Sequence, residues 1–361
     1  MTVIQILHVG AHEELIMNYY RNFKHRSIRF DYVLRRGGQD FKFKNDPYFD
    51  GRLFYITPMQ SSVWRWMIEL RSIIRSNKYS HVHLHFGFAN IYGLIAGIGL
   101  SSKMISHNHN YYQSSTRFRA FMRVPLKFLI NILSAYKFAC SGDSGRQLFN
   151  NDYILLPNAI DYSRFQFQQS SRDFIRFKFS IEPNSIVFGH VGNFLQQKNH
   201  LFLIKIFFEI RKLMPNSFFF LIGADYGTLE AVKAEVHRLD IEQYVVFAGD
   251  RSDVETLLCA FDVFLFPSLF EGFGLALLEA EVSGLPCIFS SSLPKDAVIS
   301  PFCVPCDLEK GAVVWALKAI ELCNLGLDAD SRTNRTLYLP TTFDVARVAH
   351  LFENFYLSTA E

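Results

Sequence analysis

Residues 263–286, VFLFPSLFEGFGLALLEAEVSGLP, set an apolar strand, a glycine turn and a helix in immediate succession. The run VFLFPS ends at the turn, Gly272 and Gly274 clear side-chain bulk, and the helical pattern from about Leu275 stops at Gly284, a suitable residue just past a helix end. Glu271 therefore stands before the helix and Glu279 within it. Free amides at a helix N-terminus attract anions, and glycine lets a phosphate approach the backbone closely. At about 1.5 Å rise per residue, the two carboxylates stand on the order of 10 Å apart, room for a diphosphate between them. Each carboxylate accepts hydrogen bonds only, so each could hold hydroxyls, one on a sugar before the phosphates and one on a ribose after them. A bare pair of glutamates at this spacing is otherwise a cap and a surface residue on an ordinary helix. The glycines and the preceding strand turn the reading toward a binding site.

Outward from this stretch, short β-rich runs alternate with helical patterns. VIQILHVG, FDYVLR, LFYIT, HVHLHF, KMISH and KFACS come first, separated by amphipathic stretches such as 61–76 and 116–136. The alternation restarts after the polar stretch QFQQSSRD (166–173), with SIVFGHVG, FFFLIG, YVVFAG, VFLFPS and PCIFS. His8-Val-Gly10 and His190-Val-Gly192 each end a strand and precede a helical pattern, the place where doubly wound sheets bind ligands; common architecture accounts for the echo. The expected fold is α/β, with Rossmann-like doubly wound domains at residues 1–165 and 166–335 facing a cleft. FDVARVAHLFENFYLS (343–358) has helical spacing, so residues 336–361 are expected to end in a helix returning to the first domain.

Length and composition agree, since 361 residues exceed what one core usually serves. With 49% hydrophobic and 20% charged residues the chain is not disordered. Its six cysteines lie mostly far apart in apolar surroundings, as in a reducing compartment, and Met1-Thr-Val-Ile runs straight into a strand pattern with no signal peptide. The longest small-apolar run, 86–100, is too short to span a bilayer. The expected location is cytoplasmic, with any membrane contact peripheral. The net charge of +3 conceals an asymmetry: residues 1–165 carry 21 Lys+Arg against 10 Asp+Glu, and the remainder carries 16 against 24. A basic first half suits anionic lipid or an anionic acceptor. Nucleic acid is the other partner such charge could serve, but no recognisable nucleic-acid module is present.

Glu271-Gly-Phe-Gly-Leu-Ala-Leu-Leu-Glu279 resembles the donor-site motif of retaining GT-B glycosyltransferases of family 4. GHVGNFLQQKNHLFLIKIF, FFFLIGAD, VVFAGDRSDVETLL and LLPNAIDYSRF resemble further blocks of that family, and IMNYYRN, FDYVL and FACSGDSG resemble its exopolysaccharide and capsule branch. The resemblance implies that Glu271 contacts the transferred sugar and that the amides of Gly272, Phe273, Gly274 and Leu275 meet sugar and phosphate. It further implies that Glu279 binds the ribose and that Lys198 meets the diphosphate, where a flexible ammonium matches gathering negative charge. Outside the motif Lys198 reads as a solvated surface residue. Beside Gly192 the family pattern has an arginine where this chain has Asn193, which can hydrogen-bond a phosphate but not neutralise it. Arg251, near the end of YVVFAG, could reach the nucleotide instead, although the analogy sets its loop by the base. In Ile105-Ser-His107-Asn-His109-Asn110 the resemblance places His109 by the donor sugar, with His107 as the second choice and Gly10 as a further cleft residue. Without the family, both histidines read equally as satisfied strand-end residues.

Other constellations are weaker. His81, His83 and His85 share one strand face and could chelate a metal, but no carboxylate or cysteine with ligand spacing joins them, so no metal site is expected. Asp328-Ala-Asp330 is a DxD, the metal-dependent GT-A signature, misplaced in a polar connection that reads as a loop. Cys303 and Cys306 lack a second pair for zinc. Residues 116–137, TRFRAFMRVPLKFLINILSAYK, set Arg117, Arg119, Arg123, Lys127 and Lys137 around an apolar series that could lie on anionic lipid or pack in a core, with Pro125 expected to break the helix.

The expected reaction moves a hexose-type sugar from a UDP- or GDP-linked donor to a hydroxyl of a lipid-linked or soluble glycan. It is expected to need neither metal nor cofactor. The resemblance implies retention through front-face attack, with the departing phosphate helping to deprotonate the acceptor and Glu271 orienting the sugar. Asn193, with the missing glycine pair near residue 10, also fits a catalytically silent nucleotide-sugar-binding partner in a polysaccharide assembly. A nucleotide-sugar epimerase of similar two-domain shape is disfavoured by the glutamate motif.

Overall fold

The apolar runs become strands of two parallel sheets. In the first, β1 (Thr2–Ile6), β2 (Arg29–Arg35), β3 (Leu53–Ile56), β4 (His81–Leu84), β5 (Lys103–Asn108), β6 (Tyr136–Ala139) and β7 (Ile154–Leu155) lie in the order β3-β2-β1-β4-β5-β6-β7. In the second, β8 (Ile186–Val191), β9 (Ser217–Ile222), β10 (Val245–Gly249), β11 (Val263–Phe266), β12 (Cys287–Ser290) and β13 (Cys303–Cys306) lie in the order β10-β9-β8-β11-β12-β13. Each sheet winds outward from its first strand and then restarts on that strand's other side, so β1/β4 and β8/β11 are the points where winding reverses. The expected α/β fold with two Rossmann-like doubly wound sheets is what the chain adopts. This computed structural model describes residues 1–361 except 8–10, 26, 39, 110–116, 295–297, 326–328, 338 and 361, together with the side chains of 11, 12, 117–122 and 329. Among the described residues, no helix is long and apolar enough to cross a membrane.

The chain divides into two compact units, Met1–Asp161 with Thr341–Glu361, and Tyr162–Pro340. The first contains α1 (Ala11–Arg21), α2 (Val63–Asn77), α3 (Asn90–Gly97), α4 (Arg117–Leu133) and α5 (Gly142–Leu148). The second contains α6 (Gln169–Lys178), α7 (His200–Leu213), α8 (Leu229–Arg238), α9 (Val254–Ala260), α10 (Leu275–Val282), α11 (Gly311–Leu322) and α12 (Ala329–Thr336). The last helix, α13 (Val345–Ser358), belongs to the first unit. Asp344 starts it by accepting a hydrogen bond from the Ala346 amide. Val345, Val348, Ala349, Phe352 and Tyr356 then fall on one buried face, the 3.6-residue spacing of an amphipathic helix. They join α1 residues Ile16, Tyr19 and Tyr20 over one side of the sheet, while α2, α3 and α4 supply Trp66, Leu70, Ile91, Leu94 and Ile130 to the core on its other side.

The structure corrects several readings of the polar stretches. QFQQSSRD is no simple connection, because it runs into α6, whose Arg172 and Arg176 each reach Asp262 at 2.6 Å. Asp262 also accepts from the Val187 amide at 2.7 Å, which fixes the start of β11 beside β8. Asp330 lies in the first turn of α12 and not in a loop; Asp328 lies outside the described residues. That polar helix is held by fully buried Arg332, which donates to the carbonyls of Leu258, Cys259, Phe261 and Ser283. Cys303 and Cys306 stand at the two ends of β13, which takes the sheet edge where Pro305 removes no ladder bond from a central strand. Pro125 does not break α4: packing of Ile130, Leu126 and Leu133 against the sheet outweighs the hydrogen bond proline removes.

Phe352 is wholly buried among the rings of Tyr19, Phe30, Phe138 and Tyr356, with centroids 4.7–6.2 Å away. Phe352→Ala should destabilise the first unit by about 3–5 kcal/mol through lost burial and a residual cavity. Urea unfolding followed by circular dichroism measures this; a midpoint equal to wild type would show that α13 contributes little to that core.

Candidate active site

Two loops follow the strands at which the second sheet reverses its winding, residues 192–199 after β8 and 267–274 after β11. Ligands of doubly wound sheets bind at the carboxyl ends of such strands. The loops are joined by five contacts. The Gln197 carbonyl accepts from the Leu269 amide at 2.9 Å, and the Gln197 side chain donates to the Phe270 carbonyl at 2.8 Å. Asn199 donates to the Pro267 carbonyl at 3.2 Å from a left-handed backbone conformation, φ 58°. Lys198 Nζ donates to Glu271 Oε1 at 2.7 Å, while Gln197 Nε2 reaches Glu271 Oε2 at 3.4 Å.

Glu271 and Lys198, assigned separately to sugar and diphosphate by the sequence reading, are therefore partners in one ion pair. Both side chains are largely out of solvent, and the ammonium lies 5.1 Å from the centre of the Phe266 ring. Gly192 makes room for this arrangement, since a Cβ there would come within 2.8 Å of His190 Nε2 and 3.1 Å of Lys198 Cδ. Behind it, His190 holds the Leu265 carbonyl through Nδ1 at 2.8 Å, and His200 stacks on Phe194. His200, Gln197 and Phe266 escaped the sequence reading. QQKNH beside Lys198 was the available signal, but its meaning depends on a partner loop some 70 residues away.

Gly274, with φ 96°, takes the left-handed turn that starts α10, and no side chain caps that helix. Its first turn begins at Leu275, and Gly272 and Phe273 form the bend between Glu271 and the helix. Glu279 sits half-buried within α10. At the far end Gly284 has φ 72°, its amide donating to the Glu281 carbonyl and the Leu285 amide to that of Ala280, so the helix stops where glycine placed its end. Asn193 is braced: its Oδ1 accepts from the Ala224 amide at 3.1 Å, beside a crossing where a Cβ on Gly223 would come within 2.2 Å of the Gly192 carbonyl oxygen. Arg251 is engaged by both carboxylate oxygens of Asp253, at 2.7 and 2.6 Å.

In the first unit, His107 and His109 are both buried at the end of β5. His109 Nε2 and His85 Nδ1 share a hydrogen bond of 2.8 Å, His85 Nε2 meets Gln5 at 2.9 Å, and His109 Nδ1 meets Asn158 at 3.3 Å. Gly10 lies outside the described residues. The histidines closest to a metal-holding group are His83, His85 and His107, with ligand atoms within 4.8 Å, and not the trio His81, His83 and His85. His83 and His85 stack at 4.4 Å with planes 16° apart, so their in-plane lone pairs run side by side instead of converging on one ion. His83 is also tied to Tyr356 at 2.7 Å.

Burial holds His83 and His190 well below the ordinary imidazole value and brings His81 and His200 to about 4. These groups stay neutral in the folded chain but take up protons on unfolding below about pH 6.5. Stability should therefore be lost as pH falls from 6.5 toward 4, at about 1.4 kcal/mol per pH unit for each histidine. Glu13 and Glu281, raised to about 7 by burial, act in the opposite direction and are outnumbered. Urea midpoints at pH 7 and pH 5 test this, and equal midpoints would show that the imidazoles do not titrate on unfolding.

Comparison with known proteins matches this architecture. Over 99% of this chain and all of the other, the fold superposes on Anabaena Alr3699/HepE, solved in complex with UDP and glucose, with a TM-score of 0.80 at 18% identity. The two parallel Rossmann-like sheets have the GT-B fold. Residues 171–302 match the family model "Glycosyl transferases group 1", so that segment of the chain carries a glycosyltransferase group 1 domain. EpsF of Bacillus subtilis (strain 168), a glycosyltransferase by its name, is 29% identical over 80% of this chain and 79% of its own. The Escherichia coli UDP-Gal:alpha-D-GlcNAc-diphosphoundecaprenol alpha-1,3-galactosyltransferase is 29% identical over 62% of this chain and 61% of its own.

Proposed function

We propose that the protein is a retaining, family 4-like hexosyltransferase that transfers a sugar from a UDP- or GDP-linked donor to a hydroxyl of a lipid-linked glycan in bacterial surface or exopolysaccharide synthesis. The observation that carries this reading is the Lys198–Glu271 pair set across β8 and β11, beside the uncapped start of α10. An incoming diphosphate competes for Lys198 and for the amides from Gly272 to Leu275 that lead into α10, which frees Glu271 for sugar hydroxyls. Glu279 takes the ribose, and Gly192 and Asn193 line the diphosphate loop. His109, with His107 as the second choice, serves a sugar hydroxyl, and the first unit serves the acceptor. The positive end of α10 together with Lys198 offsets the charge of the leaving nucleotide without a metal ion. Attack comes from the leaving-group side, the departing phosphate oxygen drawing off the acceptor proton. The E. coli relative's name specifies a UDP-sugar and a diphosphoundecaprenol-linked acceptor, which supports this substrate class.

Asn193 favours one other reading, a nucleotide-sugar-binding partner without turnover, because its side-chain oxygen is committed to Ala224 and it brings no positive charge. A panel of nucleotide sugars without added metal, with and without a bacterial lipid-linked glycan extract, separates the two. Nucleotide release should require one donor plus extract, and Glu271→Ala or Lys198→Ala should lower it about 10²–10³-fold, the scale of losing one charge-stabilising group. Donor binding without release under every acceptor condition would favour the silent partner.

A further inference from the structure

We infer that Gln5, His85 and Tyr356 are positioning residues for His109, joined to it by one hydrogen-bonded chain that runs from the last helix through the first strand to the end of β5. Gln5 stands on β1 between Val3 and Leu7, which pack in the same core as Phe352 and Tyr356 of α13. It is wholly buried there, and a buried amide must find partners for both its nitrogen and its oxygen. Across the winding reversal Gln5 is opposite His83 in the register of β1 with β4. Residues two apart on a strand share a face, so His85, just past β4, follows His83 on the side of Gln5. Gln5 Nε2 donates to the Tyr356 hydroxyl at 3.1 Å, and Gln5 Oε1 lies 2.9 Å from His85 Nε2. His85 Nδ1 lies 2.8 Å from His109 Nε2, and the Tyr356 hydroxyl is itself held by His83 Nδ1 at 2.7 Å.

The chain has a direction. An amide nitrogen only donates and an amide oxygen only accepts, so Gln5, with its nitrogen on Tyr356, takes the hydrogen of His85 Nε2. In a neutral imidazole one nitrogen donates and the other accepts. His85 therefore accepts at Nδ1, and His109 carries its hydrogen on Nε2. Nδ1 becomes the accepting atom of the His109 ring, 3.3 Å from the Asn158 side chain. Burial favours neutral rings here, as at His83, which it holds well below the ordinary imidazole value. His109 is buried too, so its tautomer is chosen by protein partners and not by bulk water. An accepting Nδ1 suits a ligand group that donates, and a sugar hydroxyl is such a group. This inference rests on the proposed contact between His109 and a sugar hydroxyl, and deepens it by naming what orients the ring. It also gives α13 a part beyond packing, because its Tyr356 hydroxyl sets which way Gln5 faces.

Nitrogen-15 NMR of the histidine-labelled chain provides the test, with the His109 signals assigned by their loss in His109→Gln. In the wild-type chain His109 should be protonated at Nε2 and not at Nδ1. Gln5→Leu removes the amide and Tyr356→Phe the hydroxyl, and in both the ring should move toward the Nδ1-protonated form, from which Asn158 Oδ1 can accept. Tyr356→Phe keeps the aromatic ring in its core, and the wild-type spectrum requires no variant, so a variant that fails to fold leaves the test intact. Affinity gives a second measure. Both variants should bind the nucleotide sugar about two- to tenfold more weakly, the scale of one hydrogen bond, while binding the free nucleoside diphosphate as wild type does. A purely structural role would weaken both ligands or neither. His109 protonated at Nδ1 in the wild-type chain, a tautomer unchanged in both folded variants, or equal weakening of nucleotide sugar and free nucleotide, overturns the inference. The expected tautomers in a chain that transfers no sugar would support the hydrogen-bonded chain and overturn only the proposed reaction.

Discussion

The contact between Lys198 and Glu271 depends on nearly every feature of the second unit. Its two residues come from loops that diverge in sequence and meet only because β8 and β11 are neighbours across the winding reversal. Gly192 has no side chain to obstruct the lysine stem, and Gly274 turns the chain into α10 immediately after the glutamate. Gln197 and Asn199, on either side of the lysine, tie their loop to the glutamate's loop through backbone carbonyls, so the ammonium is positioned by a pre-arranged peptide framework and not by its own flexible stem. Phe266 completes the setting by placing an aromatic face beneath the cation.

That framework rests in turn on buried arginines. Asp262, just before β11, receives Arg172, Arg176 and the Val187 amide, and so fixes β11 to β8 at the end opposite the candidate site. Arg332, packed over Phe167, gathers carbonyls at the ends of α9 and α10. Burial pushes its pKa down to about 9, but five carbonyl and hydroxyl acceptors replace the water it has lost. Residues without a role in chemistry thus determine whether the strand ends meet in register.

The sequence made the alternation of strands and helices legible because hydrophobic period and glycine punctuation are local signals. The limits of α10 could be read from Gly274 and Gly284 for the same reason. Local signals failed where tertiary contacts supplied the energy. The β13 strand contains a proline and is acceptable only as an edge, while α6 and α12 look polar because their buried anchors are arginines. Glu271 and Lys198 were legible as individuals through a family resemblance. Their pairing was not, since it depends on strand order, and neither was the brace between Asn193 and Ala224, which gives that asparagine a structural partner.

The ion pair also bears on what kind of ligand the second unit can favour. Glu271 is 8% exposed, and an anion that drew Lys198 away would leave its carboxylate with only the long contact from Gln197. An almost buried charge without a full complement of hydrogen bonds is expensive, so a phosphate alone gains the lysine while stranding the glutamate. A sugar alone could use the carboxylate but would have to share it with the ammonium. Under the proposed function, a molecule that joins a diphosphate to a hydroxyl-rich ring compensates both partners in one event. Selectivity for the intact donor over its products then follows from the pair itself, because after transfer the nucleotide keeps its phosphates but no longer carries the ring that satisfies Glu271, and the lysine returns to its original partner.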